Sequence, residues 1–593
     1  MDTKEIRIWP GVVGAAMVVA GLGLAIPLSI TFPTVAAGGY VTAIAGALVV
    51  LVWWLFFSRA RWVERLAVVA LMSVMLFAVR PVLHPSILGG AMGALPFLNI
   101  TVLAAGVAAW AAMTRRASTG VRGLSLIAAL IIAAVPATLV KTAGLRGGGF
   151  EFHWRWTPTS EERLLARGDE APVPVSPPRA TAAPTAAAAP SSSDLEAPSP
   201  VAATPRKPAE WPGFRGPLRD GVIRNVRIDT DWAASPPVEL WRRPIGPGWS
   251  SFAVGGDLIY TQEQRGDDEI VAAYHLSTGK PAWRHRDAAR FYESNGGPGP
   301  RGTPTLSDGR AYALGGTGLL NVLDASTGTV IWSRNVAADT KVAVPQWGFS
   351  SSPLVVGDLV IVAAEGTVAA YDIAAGAPRW TGPAGGFSYS SPHLITIDGV
   401  PQIVMLSATG TSSFSPATGQ VLWRMDTVGG SIVQPAMTGD GDVLISSLAG
   451  TGGQGIRRLA VAHQADRWVP AERWLSTGLK PYFNDFVVHN GHAYGFDGSI
   501  LSSIDLADGS RTWKGGRYGG GQMLLLADQD VLLVISDEGE LALVSATPAE
   551  FKELARFKAI AGKTWNHPVI VHDTLLVRNG EEMAAFRLPA LAR

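Results

Sequence analysis

The chain has 593 residues, a net charge of +1 and no cysteine. That length exceeds one ordinary domain, and the near-zero charge gives no reason to expect nucleic acid as a partner. The absent thiol excludes disulfides, thiolate metal sites, cysteine nucleophiles and a cysteine-borne lipid anchor.

Charged residues are 16% and apolar residues 48% of the chain, with the apolar excess almost wholly in the first 145 residues. Five apolar segments stand there, at about 10–31, 36–57, 63–83, 90–113 and 123–141, each near the ~20 residues a helix needs to cross a bilayer. Arg80 and Pro81 interrupt the end of the third. Lys4, Arg7, Arg59, Arg61, Arg65, Arg115, Arg116 and Arg122 all fall on one side of five spans, while the opposite loops hold only Arg80. The positive-inside rule makes the richer side cytoplasmic. Residues 1–145 therefore read as a multi-pass domain in a bacterial inner (cytoplasmic) membrane, contacting the lipid bilayer, with everything after Lys141 on the periplasmic or extracytoplasmic side.

Residues 146–209 read as a periplasmic connection. "TPTSEERLLARG" predicts one short helix, with Thr159 and Glu162 at capping-box spacing. From Ala171 to Pro208 the chain is mostly Pro, Ala and Ser. Such a composition cannot bury a core and reads as a linker.

Residues 210–593 alternate short apolar runs with turns, as in "DLIYT", "RAYAL" and "DLVIVAA", and predict an all-β domain. Within it one stretch recurs: "YHLSTGKPAW", "LDASTGTVIW", "YDIAAGAPRW", "FSPATGQVLW" and "IDLADGSRTW". Weaker copies end at Trp474 and Phe557, and "VELW" ends at Trp241. Successive spacings are 42, 49, 48, 43, 51, 39 and 44 residues. A period of about 40–50 residues with several short strands per unit means a β-propeller. Thr-Gly makes the turn before the last strand, the preceding Asp or Ser accepts backbone N–H groups of that turn, and Trp wedges between blades. Counting predicts an all-β, eight-bladed β-propeller preceded by about five transmembrane helices. The eighth blade takes its inner strands from "HPVIVHDTLLVRNGEEMAAFRL" and its outer strand from "VELWRR", so no edge is left free.

These units resemble the pyrroloquinoline quinone (PQQ)-like propeller repeats, whose blades carry a D-x-x-T-G-x-x-x-W motif, and in blade size the BamB-like branch. That branch includes a non-enzymatic assembly factor of outer-membrane β-barrels. Five spans followed by a propeller also resemble membrane-bound PQQ glucose dehydrogenase, although those enzymes have much longer propellers with large insertions. "EWPGFRGPLRDG" (Glu210–Gly221) is similar to the opening segment of PQQ-like repeat proteins.

Loops from an outer strand to the next innermost strand converge on one mouth of a propeller channel. They bring Trp249, Arg301, Trp347, Tyr389, Gln434, Asn484, Asp485, Gln522, Asn566 and His567 toward one funnel. Aromatics there could sandwich a planar or sugar-like ligand, with Arg301, Lys480 or Lys563 meeting its carboxylates. PQQ is planar and tricarboxylated. The resemblance to the dehydrogenases implies an Asp base working with calcium, and Asp485 beside Asn484, with Glu293 and Asn295, is the best imitation of that set. The competing reading is that Ser, Asn and Pro satisfy backbone groups at the blade tops. His489 and His492 flank the Asn490-Gly491 turn without a third metal ligand. Two functions follow: a membrane-held binding or scaffolding module for an envelope protein, peptide or small ligand, or a quinoprotein dehydrogenase with PQQ and calcium that oxidises a sugar or alcohol and reduces membrane quinone.

Overall fold

The computed structural model describes residues 8–591 apart from 30–31, 94, 147–148, 169, 174–207, 428 and 450–451. Lys4, Arg7 and nearly all of the Pro/Ala/Ser stretch lie outside the described residues. The chain forms two compact units, Met1–Arg163 with Tyr292–Pro298, and Leu164–Phe291 with Gly299–Arg593.

The first unit is helical: α1 (Trp9–Leu28), α2 (Pro33–Val52, continued by a π-turn to Phe57), α3 (Trp62–Ala78), α4 (Pro85–Gly93), α5 (Asn99–Met113) and α6 (Thr119–Thr138). Five of its helical segments are long and apolar enough to cross a membrane. The fourth apolar segment does not run on from residue 90. Its first part belongs to α4, and the span starts again near Leu95 after Gly93 at φ 85°. Glycines set the α1–α2 contact. A Cβ on Gly14 would stand 2.8 Å from the Gly46 carbonyl, and one on Gly21 would stand 2.5 Å from that of Gly39. Bare backbones thus meet, the close approach that small residues allow between two apolar helices. Trp53, Trp54 and Trp110 pack edge to face beside them. Beyond the helices, α7 (Ser160–Ala166) is capped reciprocally. Thr159 N donates to Glu162 Oε2 at 2.7 Å, and Glu162 N donates to Thr159 Oγ1 at 3.1 Å.

The second unit is an eight-bladed propeller of antiparallel sheets. Blades 1–7 run in chain order from Ala253–Asp287 to Gln522–Lys558. Blade 8 joins Val569–Val571, Thr574–Arg578 and Glu582–Arg587 to Val238–Pro244, with Trp241 opposite Ala585. After blade 1 begins, the propeller's described residues hold one α-helix, the single turn α8 (Val336–Thr340), and one 3₁₀ turn at Ala527–Gln529.

The repeated stretch explains how blades hold one another. Asp324 Oδ1 accepts the N–H groups of Ser326 and Thr327, each at 3.0 Å, and so fixes the turn. Gly328 follows at φ 73°, and a Cβ there would stand 2.4 Å from the Trp283 ring of the preceding blade. The tryptophan therefore lies flat on the next blade's Thr-Gly turn and donates its indole N–H to that turn. Trp241 reaches Leu276 O, Trp283 reaches Ala325 O, Trp332 reaches Ile373 O and Trp380 reaches Pro416 O, at 2.8–3.1 Å. Trp423 instead donates to Gln402 within its own blade.

Candidate functional site

The loops entering the innermost strands carry two kinds of side chain. One kind faces inward and ties blades together. Ser251 N donates to Thr303 Oγ1, Thr303 N to Ser352 Oγ and Ser352 N to Ser391 Oγ, at 2.9–3.0 Å, a hydroxyl stitch across blades 1 to 4. Asn566 Nδ2 donates to Gly248 O and Ser250 O, and Gln522 Nε2 to Phe483 O and Trp565 O. Asn484 Oδ1 accepts from Tyr482 N at 3.2 Å.

The second kind is half-exposed and aromatic. Trp249 and Trp565 lie 4.8 Å apart, Phe483 is 5.1 Å from Trp565, and Tyr482 is 5.5 Å from Phe483. The Lys563 ammonium stands 5.3 Å over Trp249 and 4.7 Å over Trp565. A cation over two indoles within 6 Å is a favourable electrostatic arrangement. Further round the mouth, Arg301 lies 5.1 Å over Phe291 and donates to Trp347 O, while Trp347 N donates to Tyr389 Oη at 3.1 Å. Of the residues expected at the mouth, Trp249 stands in the aromatic cluster, Arg301 lies over Phe291, Tyr389 is buried against Phe387, and Trp347 is tied to Arg301 and Tyr389 through its backbone. Gln434, Asn484, Asp485, Gln522, Asn566 and His567 are buried. Trp565, Phe483 and Tyr482 were not singled out from the sequence, although Trp565 precedes Asn566 in "GKTWNHP" and the other two stand in "KPYFNDF".

Below the mouth lies a contact no local pattern announces. The lead-in segment from Glu210 crosses the inner ends of several blades. Trp211 exchanges backbone bonds with Val254, Leu306 N donates to Pro212 O, and Val222–Ile223 adds in parallel to the inner strand of blade 7. It carries Arg215 and Arg219 into the interior. Arg215 Nη1 meets Asp485 Oδ1 at 3.2 Å, and His567 Nε2 meets Asp485 Oδ2 at 3.2 Å. Burial alone pushes the Asp485 carboxyl up, but the Arg215 guanidinium and His567 outweigh it and hold it below the usual carboxylate range. Burial pushes the His567 imidazole down, against Asp485.

A calcium–PQQ pair needs free oxygen ligands and a free base. Both Asp485 oxygens are already engaged. Glu293 and Asn295 group with the helical unit, where Glu293 Oε2 accepts from Asn295 N at 2.7 Å and Asn295 Oδ1 accepts from Ala91 N at 3.0 Å. Lys480 pairs with Asp497 at 3.6 Å. No group of three or more His, Asp or Glu residues able to hold a metal occurs among the described residues. The residues present do not fit calcium-bound PQQ. His489 turns to Asp530 and the Asn490 amide, and His492 to Asn490 O.

Eight blades, seven of four strands and blade 7 with Val222–Ile223 as a fifth, indole-on-turn contacts and an aromatic mouth define a repeat propeller of the D-x-x-T-G-x-x-x-W kind. The family model described as outer membrane protein assembly factor BamB matches residues 232–388 and 267–515, so the propeller carries repeats of the PQQ-like, BamB-like kind. BamB from Moraxella catarrhalis is 14% identical over 60% of this chain and 99% of its own, with a TM-score of 0.45. Quinohemoprotein alcohol dehydrogenase from Comamonas testosteroni is 13% identical over 65% of this chain and 81% of its own, with a TM-score of 0.47. A europium-containing methanol dehydrogenase is 13% identical over 64% and 98%, with a TM-score of 0.41. No curated protein matches the chain.

Proposed function

We propose that the protein is a membrane-anchored binding module whose propeller mouth engages an envelope protein or peptide. The carrying observation is the cluster of Trp249, Trp565, Phe483 and Tyr482 under Lys563, half-exposed above an interior where the Asp485 carboxylate is tied to Arg215 and His567. Rigid aromatics beside a cation bind by contact area at small entropic cost, the composition of interface hot spots. A redox site would need Asp485 free. The helical unit supplies the anchor in a bacterial inner membrane. Arg59, Arg61, Arg65, Arg115, Arg116 and Arg122 would stay in the cytoplasm and put the propeller on the periplasmic side.

A photo-crosslinking residue in place of Trp249 or Trp565, in the full chain in its native membrane, tests this reading. The expected result is one discrete adduct from both positions and none from Asp426, which lies outside the cluster. No adduct from either mouth position overturns the binding site. In parallel, purified protein supplied with PQQ and calcium should retain no chromophore. Retained PQQ with sugar or alcohol turnover that Asp485→Asn abolishes would replace the binding reading by the dehydrogenase.

A further inference from the structure

A cavity of ≈ 1020 Å³ lies in the propeller, reaching from the turn at Asp505–Ala507 to Pro435 and Phe486 on the inner ends of the mouth loops. The inner strands of blades 4, 5 and 6 and residues Leu218–Arg224 of the lead-in segment line it. Leu218, Leu394, Met437, Val488 and Leu506 give it apolar walls.

The carboxylates of the lining are paired, Asp220 with Arg224, Asp440 with Arg458 and Asp505 with His492, and two polar groups are unlike them. Arg219 is 9% exposed, and its guanidinium meets only neutral acceptors. Nη1 donates to Pro353 O at 2.9 Å and Nη2 to Ser352 O at 3.0 Å. With the Gln434 amide turned to face it, the amide oxygen accepts from Nη2 at 3.3 Å and Nε at 3.2 Å. Among the described residues no carboxylate pairs with it. Arg215 close by adds charge of the same sign, and burial with that repulsion brings Arg219 down to about 10. The second group is His393, 6% exposed, with Nδ1 fully buried and without a partner. Burial, then Arg219 and Arg215, push its imidazole down to about 3, so the ring is neutral and still offers one N–H. A buried cation without a counter-charge beside an unsatisfied imidazole is costly in a folded protein. Asp485 balances Arg215, which leaves one positive charge at the cavity floor.

We propose that this cavity binds a small apolar monocarboxylate, its carboxylate received by Arg219 and His393 and its apolar body laid along Leu394, Met437 and Val488. The anion supplies the charge that the fold leaves out, and the walls supply the burial. This site is separate from the aromatic cluster at the mouth and does not depend on the function proposed for it.

Isothermal titration of the detergent-solubilised full chain with 4-phenylbutyrate, and with its neutral amide, tests the assignment. The expected result is saturable one-to-one binding of the acid, with the amide at least ~10-fold weaker, the order of one charge-assisted hydrogen bond. Binding should be lost in Arg219→Gln. It should also be lost in Leu394→Asp, whose side chain is exposed enough for the fold to survive. Trp249→Ala should leave it unchanged. Competition by N-acetyl-Leu-Phe would assign the carboxylate to a peptide end. Failure of that peptide to compete, with the acid bound, would assign it to a free acid. No saturable binding, equal binding of acid and amide, or binding unchanged in both cavity variants would overturn the proposal.

Discussion

At Gly328 one residue meets two separate demands. Its φ of 73° disfavours any side chain, and the Trp283 ring occupies the space a Cβ would need. Gly357 isolates the first demand, since its φ is 58° and nothing lies within 4 Å of a Cβ there. Gly357→Ala should therefore cost about 1 kcal/mol, the left-handed penalty alone. Gly328→Ala should cost about 2–4 kcal/mol, because overpacking adds about 1–3. Urea unfolding followed by tryptophan fluorescence checks both. Equal costs would mean that the ring does not bear on the turn. The same local chemistry is why the fold is legible: Asp324, Thr327, Gly328 and Trp332 sit within ten residues, so their roles can be read from spacing. Thr159 and Glu162 are legible for the same reason.

The lead-in segment is an element of the opposite kind. Arg215 and Asp485 are 270 residues apart. Nothing in "FRGPLRDG" says where its two arginines go, so Asp485 reads from the sequence as a free acid beside Asn484. What hides the partner is topology: the inner strands are reached only across the centre, where the segment lies. The mouth divides likewise. Sequence brings its loops to one end, but which side chains turn inward depends on the hydroxyl and amide stitching between blades, which pairs residues one or more units apart. Removing Arg215 alone strands a buried carboxylate. Arg215→Met should cost about 3–5 kcal/mol at pH 7, whereas Arg215→Met with Asp485→Leu should recover most of it. The sign with pH follows. The folded Asp485 value lies below its unfolded one, so its contribution is present above about pH 4 and lost as pH falls through the folded value. In Arg215→Met, burial without the guanidinium raises that carboxyl, and the deficit against the parent should shrink on acidification. Denaturant midpoints of the three variants at pH 7 and pH 4 measure this. A double variant as unstable as the single would show that Arg215 acts by packing and not by charge.

At the scale of the whole propeller, closure rests on a seam that no covalent bond spans. Blade 8 takes three strands from residues 569–587 and its outer strand from Val238–Pro244. On its inner side Arg578, fully buried, reaches into blade 1, donating to Gln262 O at 2.9 Å and Gly246 O at 3.1 Å, with Thr261 alongside. Ending the chain at Pro568 would leave the Val238–Pro244 strand without Glu582–Arg587 and would uncover Trp241, Ile245 and the facing surface of blade 7, including Leu541 and Leu543. Unpaired edges and uncovered apolar faces are templates for association. The shortened protein should elute from size exclusion as aggregate. Because the seam is held by strand pairing, burial and Arg578, the missing piece should act in trans. Co-expression of a 565–593 fragment should restore the main species, and the same fragment carrying Arg578→Ala should restore less of it. If the shortened protein stayed monodisperse, seven blades would close without the eighth, and the two-ended blade would not be what holds the ring.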